Sequence, residues 1–391
     1  MLNNVQLMTP ANKTSILESD QSTSTGLILS GGGSRAAYQV GVLRAISHLL
    51  PKDSPNPFQV IAGTSAGALN AATLASHARL FRFAVKRLEF VWKNLTSDQI
   101  YDPESGGLLS GASNVLMGML GNKTEEKSMS LFDNSPLGEL LSRVIHFDRI
   151  QHNIDVGLID ALSVTASDYN SGESVSFYQA IKGIEEWSGP HRLGKRTTLK
   201  LDHLMASSAI PVIFPAVKID ERYYGDGAVR QLAPTSTAIH LGARRLLAIG
   251  VSGNRSGTTT PELEPSAPGL LNIVGHILNS AFVDTLENDL EFLRHMNELI
   301  PHVPESSRRK ISRPLHEIEL LEISPSRELN TLASEYYDEL PRALSRFVKE
   351  DGSGTMLSLI LFEKGFCNAL LELGYKDAMS KEDDIRHFFG L

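Results

Sequence analysis

The feature that most restricts the fold is a repeated order of apolar run, glycine-containing turn and helical pattern. Residues 26–30 are followed by three consecutive glycines, and residues 58–62 are followed by the sequence GTSAG. Further β-type runs follow as a hairpin or two sheet strands over 159–179 and as a buried strand over 244–252. Alternation of this kind is typical of a mostly parallel sheet with helices on both faces. The sequence therefore predicts an α/β fold of three layers, α/β/α, around a mostly parallel central sheet.

The 391 residues are predicted to fall into three regions. Residues 1–25 are polar and form a predicted flexible tail. Residues 26–252 form the predicted α/β domain, and residues 253–391 form a largely helical C-terminal extension that we expect to pack on it. Within the extension, residues 315–324 alternate between apolar and polar side chains, which is typical of an edge strand.

Composition excludes several classes of function. The net charge of −8 argues against a nucleic-acid-binding protein. The sequence contains no HExxH motif and no Cys/His cluster, so we expect neither a metal nor another cofactor. No run approaches the roughly 20 uninterrupted apolar residues of a membrane span, and the N-terminus does not resemble a secretory signal. We therefore expect a cytoplasmic protein, with peripheral membrane contact through the apolar segment 112–120.

The sequence GTSAG matches the G-x-S-x-G pattern of a nucleophile elbow. Gly63 and Gly67 leave room for a sharp turn that would present the hydroxyl of Ser65, with Thr64 and Ala66 as its neighbours. A strand before the pattern and a helix after it are the context that this motif requires. Ser65 is therefore a candidate nucleophile, which still needs a base.

The three glycines before the first helix are typical of a loop that holds a negative charge. Gly31, Gly33 and Ala36 also fit the G-x-G-x-x-[GA] pattern of a dinucleotide fold. That fold requires an acidic residue at the end of the second strand, but Asp53 precedes this strand. The second strand ends instead in the elbow around Ser65, which favours an oxyanion over a nucleotide.

The sequence YYGDGAV places Asp226 between Gly225 and Gly227. Flanking glycines allow the backbone to pass close to another element and to direct the carboxylate to a defined target. An Asp-Gly turn in a hairpin is the alternative interpretation. Histidines also follow Ser65, and none of them lies in a marked turn motif; they are His240, His276, His295, His302, His316 and His387.

Taken together, these motifs resemble the patatin-like phospholipase family. The resemblance rests on GGGSRAAYQVGVL, GTSAGALNA, ASSAIPVIFP and DGA, in this order, over residues 26–252. It implies hydrolysis of phospholipids or other acyl-ester lipids, as by a phospholipase A or lysophospholipase-type esterase. One departure is Ala36, which stands where the family usually has glycine.

The resemblance also implies roles for the residues of these motifs. Ser65 and Asp226 would form a catalytic dyad without histidine. The oxyanion hole would consist of Gly31, Gly32 and Gly33, with Ser34 and Arg35 beside them; Arg35 would brace this loop or lie on a helix surface. Two alternatives stay open from the sequence: an α/β-hydrolase esterase with a histidine-containing triad, and a non-catalytic lipid-binding protein on the same fold. Head group, acyl length, activator and oligomeric state are not encoded in any recognisable motif.

Overall fold

A computed structural model describes most of the chain around one large sheet. The described residues are 24–102, 130–253, 276–308, 310, 315–345 and 354–391. The predicted apolar membrane contact at 112–120 lies outside the described residues, as do residues 1–23 of the predicted tail.

The sheet contains ten strands in the described part of the chain. Five of them run parallel in the order β10-β9-β1-β2-β3, and β3 then pairs antiparallel with β4 on one side and with β8 on the other. The strands are β1 (Thr25–Leu29), β2 (Val60–Thr64), β3 (Ala161–Asp168), β4 (Ser174–Ala180), β5 (Trp187–Gly189), β6 (Arg192–Arg196), β7 (Val217–Ile219), β8 (Arg222–Asp226), β9 (Arg245–Ile249) and β10 (Glu319–Ile323).

Alternate residues of the central strands enter two separate apolar cores. In β1, Leu27 and Leu29 belong to the larger core, whereas Ile28 belongs to the smaller one on the opposite face. Successive side chains of a strand point to opposite faces, so a sheet with two apolar faces must be covered by helices on both. The predicted three-layer α/β/α architecture with a mostly parallel sheet is therefore confirmed.

Helices cover both faces of this sheet. No helix that the structure describes is both long enough and apolar enough to cross a membrane. The described helices are α1 (Ala36–Leu49), α2 (Ala66–Ser76), α3 (Phe81–Asn94), α4 (Ser135–Val144), α5 (Phe147–Asp155), α6 (Leu201–Ser207), α7 (Pro234–His240), α8 (Thr285–Leu299), α9 (Glu305–Arg308), α10 (Leu329–Ser334), α11 (Arg342–Ser345), α12 (Gly354–Ile360), α13 (Lys364–Met379) and α14 (Glu382–Phe389).

Shorter helical turns lie at several junctions. A π-helical turn over Ser280–Asp284 leads directly into α8. The 3-10 turns are Gly33–Arg35, Ser97–Gln99, Gly227–Val229, Ile300–His302 and Tyr337–Glu339.

The C-terminal part of the chain packs directly on the sheet and on α1. Strand β10 is an edge strand of the sheet, as its alternating pattern predicts. Helices α1 and α13 cross closely at two glycines: a Cβ on Gly41 would lie 2.1 Å from Leu371 O, and one on Gly374 would lie 2.1 Å from Tyr38 O. Because each glycine admits the other helix's backbone, the two regions share one apolar core.

Two boundaries differ from the prediction. The tail was predicted to reach residue 25, but Ser24 and Thr25 are buried and β1 begins at Thr25. Ser24 O accepts hydrogen bonds from the amides of Arg244 and Arg245, so the start of β1 is held by β9. The second strand extends to Thr64 and thus includes the first residues of the elbow.

Candidate active site

Ser65 lies at the turn between β2 and α2, with an unusual backbone conformation. Its φ of 54° and ψ of −130° are rare for a residue with a side chain, and such strain persists only where the surroundings enforce it. The Ser65 amide donates to Ser207 Oγ at 2.9 Å, and Ser207 Oγ donates to Thr165 O at 2.6 Å. This chain of hydrogen bonds ties the turn to β3.

Asp226 reaches Ser65 because of the register of the sheet. Strand β8 continues along β3 beyond the end of β2: Thr64 is opposite Thr165, and Asp226 is opposite Ala166 on the next rung. Ser65 Oγ donates to Asp226 Oδ2 at 2.6 Å. The sheet thus brings together two residues that are 161 positions apart in the sequence.

The carboxylate of Asp226 is fixed at both oxygens. The Ala228 amide donates to Oδ1 at 2.9 Å, while Oδ2 accepts from Ser65. In addition, the Ser167 hydroxyl donates to the backbone carbonyl oxygen of Asp226 at 2.7 Å. Gly225 lies in β8, and Gly227 opens the 3-10 turn. The alternative of a hairpin turn at Asp226 is wrong, because β7 and β8 are joined at Asp220 and Glu221 instead.

Burial changes the acidity of Asp226. The side chain is fully buried, and desolvation raises its pKa to about 7, although the hydrogen bonds from Ser65 and from the Ala228 amide act in the opposite direction. A carboxylate with this pKa can accept a proton and release it again near neutral pH.

The glycine loop faces the same site. Gly33 lines the pocket in which Ser65 lies, and its φ is +56°. A Cβ at Gly33 would lie 2.0 Å from Leu359 O, so this position admits no side chain. Among the described residues, no hydrogen bond is found for the amides of Gly31, Gly32 and Gly33. These amides are therefore available for an anion at the site.

Arg35 braces the glycine loop from behind. The side chain is buried; its Nε donates to Ser358 Oγ at 3.0 Å, and its NH2 donates to Asn330 Oδ1 at 2.7 Å. Next to it, Ser34 Oγ donates to Ser358 O at 2.8 Å. Arg35 thus links the loop to α10 and α12, which excludes the alternative of a helix-surface arginine.

Ala36 does not distort the loop. Its φ of −65° and ψ of −11° are those of a right-handed helix, which alanine adopts without strain. The departure from glycine at this position has no visible structural cost.

A narrow apolar pocket leads to Ser65. Ala66 lines it beside Ser65, while Gly63 and Thr64 end β2 below it, and Gly67 continues α2. Most of the remaining lining is apolar and comes from Leu69, Val91, Trp92, Leu95, Ile100, Leu137, Leu140, Ser208, Ile210, Phe214 and Phe362. Apolar walls around a few polar groups are typical of a site for a hydrocarbon chain.

Sequence reasoning missed several residues that hold the site. Ser207 lies within ASSAIPVIFP, so the motif offered a signal, but its target at Ser65 is set only by the fold. Gln231 accepts a hydrogen bond from Thr64 Oγ1 at 2.6 Å, and Asn70 accepts one from Trp92 Nε1 at 2.9 Å. Nothing in the sequence pattern distinguishes these two amides from surface residues.

The structure also bears on two alternatives from the sequence, a histidine-containing triad and a dinucleotide-binding site. No described histidine lines the pocket or hydrogen-bonds to Ser65, so the described residues provide no third member of a triad. Asp53 lies in a turn far from the glycine loop, beside His77 at the opposite end of α2. The second strand ends in the turn at Ser65 and carries no acidic residue at its end, which argues against a dinucleotide site.

Comparison with known proteins gives the following similarities. The family model for patatin-like phospholipases matches residues 27–239. A cGAMP-activated phospholipase from Pseudomonas aeruginosa is 27% identical over 221 residues, which are 55% of this chain and 55% of that protein. The chain thus spans about half the length of this curated relative.

Two solved structures match this chain at lower sequence identity. Human GIVD cytosolic phospholipase A2 matches 95% of this chain and 59% of its own, with 13% identity and a TM-score of 0.46. VipD from Legionella pneumophila matches 93% of this chain and 67% of its own, with 12% identity and a TM-score of 0.32.

Proposed function

The chain belongs to the patatin-like phospholipase family, and from this premise we propose that it hydrolyses acyl esters of lipids through a dyad of Ser65 and Asp226. The observation that carries the proposal is the hydrogen bond of 2.6 Å from Ser65 Oγ to Asp226 Oδ2, at the end of an apolar pocket. A direct contact between nucleophile and base is the arrangement that activation of a serine requires.

In the first half of the reaction, Ser65 Oγ attacks the carbonyl carbon of the ester. Its proton passes to Asp226 Oδ2, and the carbonyl oxygen becomes an oxyanion. The tetrahedral intermediate then expels the alcohol, which takes up the proton from Asp226, and an acyl group stays on Ser65.

In the second half, water replaces the alcohol. Asp226 accepts a proton from the water, whose oxygen attacks the acyl carbon. The intermediate collapses, the proton returns to Ser65 Oγ, and the carboxylic acid leaves. The same carboxylate serves both halves, since its pKa of about 7 suits either direction of transfer.

The glycine loop would stabilise both intermediates. The amides of Gly31, Gly32 and Gly33 are the candidate donors, and Ser34 and Arg35 would hold the loop in place. Fixed donors at such a position are typically worth ~10²–10³ in rate each. They act without a cost of reorientation because α12 and α10 already fix the loop.

The apolar pocket supports a lipid as the substrate. Trp92, Leu137 and Phe214 would contact the acyl chain while the ester lies at Ser65. We infer phospholipids or related acyl lipids as the substrate class, in peripheral contact with a membrane. This contact is tested by liposome binding after polar substitution of Val115, Leu116, Met117 and Leu120.

The dyad is tested by labelling with a fluorophosphonate probe, which reacts with activated serines. We expect labelling of the wild type, and its loss in Ser65→Ala and Asp226→Asn. Ser208→Ala is the matched control, because Ser208 lines the same pocket, whereas the hydrogen bonds found for the Asp226 carboxylate come from Ser65 and Ala228 among the described residues. Labelling of Ser65→Ala at the wild-type level would refute the assignment.

Hydrolysis of a phospholipid panel separates the remaining alternatives. A histidine-containing triad predicts that replacing one histidine after Ser65 abolishes activity while Asp226→Asn stays active. A non-catalytic lipid-binding protein predicts bound acyl lipid without release of fatty acid. The dyad predicts fatty-acid release that depends on both Ser65 and Asp226.

A further inference from the structure

A second cavity lies on the opposite face of the sheet from the apolar pocket. Its volume is about 280 Å³, and it is bordered by β4, β5, the start of β6, α7 and the segment before α7. Ser174 and Ser176 project into it from the face of β4 that also carries Tyr178, whereas Val175 and Phe177 face the larger core. Nothing in the proposed hydrolysis uses this cavity.

The lining of this cavity is basic. Arg192, Arg230 and His191 contribute to it, and no carboxylate is among its lining residues. In the described part of the chain, the Arg192 side chain makes no hydrogen bond or ion pair, and the Arg230 side chain uses its Nε alone, toward Gly172 O at 2.7 Å. Asp289 acts on Arg192 electrostatically, but its Oδ2 accepts from the Thr235 amide. Two guanidinium groups therefore remain available to an anion.

Hydroxyl donors accompany the two arginines. Ser174 is 5% exposed, and its Oγ has no hydrogen-bond partner among the described residues. Ser176 Oγ lies 3.0 Å from Thr237 Oγ1. Because Ser174 lines the cavity and its hydroxyl is not sealed from solvent, this hydroxyl can donate to an occupant of the cavity. The guanidinium groups of arginine, together with hydroxyl groups, are preferred hydrogen-bond donors to a phosphate group.

We propose that this cavity binds the phosphate group of a small molecule. The phosphate could belong to a soluble nucleotide or to a glycerol phosphate derived from a lipid, and both present the same anion to Arg192, Arg230 and Ser174. A phospholipid whose acyl chain lies in the apolar pocket cannot place its phosphate here, since the sheet separates the cavity from that pocket.

Gln231 links this cavity to the elbow. It lines the cavity, its Oε1 accepts from Thr64 Oγ1 at 2.6 Å, and its Nε2 donates to Thr165 Oγ1 at 3.3 Å. Because Thr64 directly precedes Ser65, an occupant that moves Gln231 alters the position of the nucleophile. This second part of the proposal rests on the proposed function of Ser65.

Binding is tested by titration calorimetry with inorganic phosphate, adenosine 5′-monophosphate and sn-glycerol 3-phosphate. We expect saturable one-to-one binding by wild type and affinity at least about tenfold lower in the double variant Arg192→Gln/Arg230→Gln. Lys182→Gln is the control, because it removes an exposed positive charge outside the cavity. Tighter binding of the nucleotide or of the glycerol phosphate identifies the source.

Ser236→Asp provides an independent test with both arginines in place. Ser236 is half-buried in the first turn of α7, where an aspartate is compatible with the helix, and its carboxylate would repel phosphate. We expect this variant to keep the melting temperature of the wild type and to lose binding. Equal affinity in wild type and in both variants, or no saturable binding of any probe to wild type, would overturn the site.

The link to the elbow is tested by the rate at which the fluorophosphonate probe labels Ser65. With the best ligand at saturation, we expect this rate to change at least about twofold in wild type and to stay unchanged in Gln231→Leu. Labelling that ignores a bound ligand would overturn the link alone. Absence of any labelling in wild type would overturn the proposed function, while the calorimetric result on the cavity would still stand.

Discussion

The two halves of the candidate site are held in place by different parts of the chain. The elbow and Asp226 depend on Ser207, Thr165 and β8, all within the residues that match the family model. The glycine loop depends on Ser358, Leu359 and Asn330, which lie beyond them. The candidate nucleophile Ser65 is thus fixed by the central sheet, whereas the glycine loop, the proposed oxyanion hole, is fixed by the C-terminal helices.

The two halves also differ in the kind of restraint. The elbow combines a strained backbone at Ser65 with a fully buried carboxylate at Asp226, both of which oppose folding. The glycine loop is instead stabilised by a buried arginine with several hydrogen-bond partners. We therefore expect some substitutions at the elbow to raise stability, and substitutions at the loop to lower it.

The largest effect is expected for Asp226→Asn. Removing the base should lower kcat for ester hydrolysis by about 10³-fold or more. The pKa of Asp226 in the folded protein is raised above its ordinary value, so its stabilising contribution is present at low pH and lost as pH rises toward 7. The variant should therefore be more stable than wild type by roughly 2–4 kcal/mol above neutral pH. Denaturant unfolding at acid and alkaline pH measures this, and equal stability at alkaline pH would contradict it.

At the loop, Gly33→Ala should lower both activity and stability. The new methyl group would collide with Leu359 O, and its backbone would keep a positive φ. Displacement of the loop should reduce kcat by about 10²-fold, the size of a lost oxyanion donor. Steady-state kinetics and the melting temperature together check this. A variant with wild-type kcat would show that the loop amides do not contribute to the rate.

The pH dependence of kcat/KM should report on the elbow with Asp226 and not on the glycine loop. The general base must be ionised, so kcat/KM should rise with pH and level off above an apparent pKa of about 7. Below this value, activity should fall about tenfold per pH unit. A pH profile of wild type and Gly33→Ala is the measurement. The same apparent pKa is expected in both, because the loop does not contact Asp226.

Removing a single hydroxyl from each half is a finer test. Ser207→Ala leaves the Ser65 amide without its partner, and Ser358→Ala removes two hydrogen bonds of Arg35. Each should cost about 1–3 kcal/mol in stability and about tenfold in kcat. Ser207→Ala should also raise the apparent pKa of the pH profile, because a displaced Ser65 no longer lowers the pKa of Asp226. A shift of equal size in Ser358→Ala would show that the halves are not independent.

The smallest effect is expected for Ala36→Gly, which restores the usual residue of the family. Ala36 has a helical conformation, so glycine gains nothing there and loses roughly 0.5–1 kcal/mol through backbone entropy. Activity should stay within about twofold of wild type. A gain in kcat well beyond this would show that Ala36 restricts the loop.

The sequence predicted the parts of this protein that depend on local order along the chain. The strands before Gly31 and Gly63, the turns and the helices after them follow from apolar periodicity and from glycine placement. The edge strand β10 was visible in its alternation for the same reason. The end of the tail was misjudged, because Ser24 is polar and is buried only through its carbonyl contacts with Arg244 and Arg245.

The sequence by itself therefore determined the type of fold and the candidate chemistry of Ser65, Asp226 and the three glycines. It could do so because each motif consists of residues that are adjacent along the chain. Tertiary structure alone decided how these motifs meet. Strand β8 pairs with β3 just beyond β2, which places Asp226 at 2.6 Å from Ser65, and α12 closes on Gly33. Such contacts join residues far apart in sequence, and they arise from burial of both sheet faces rather than from any local pattern.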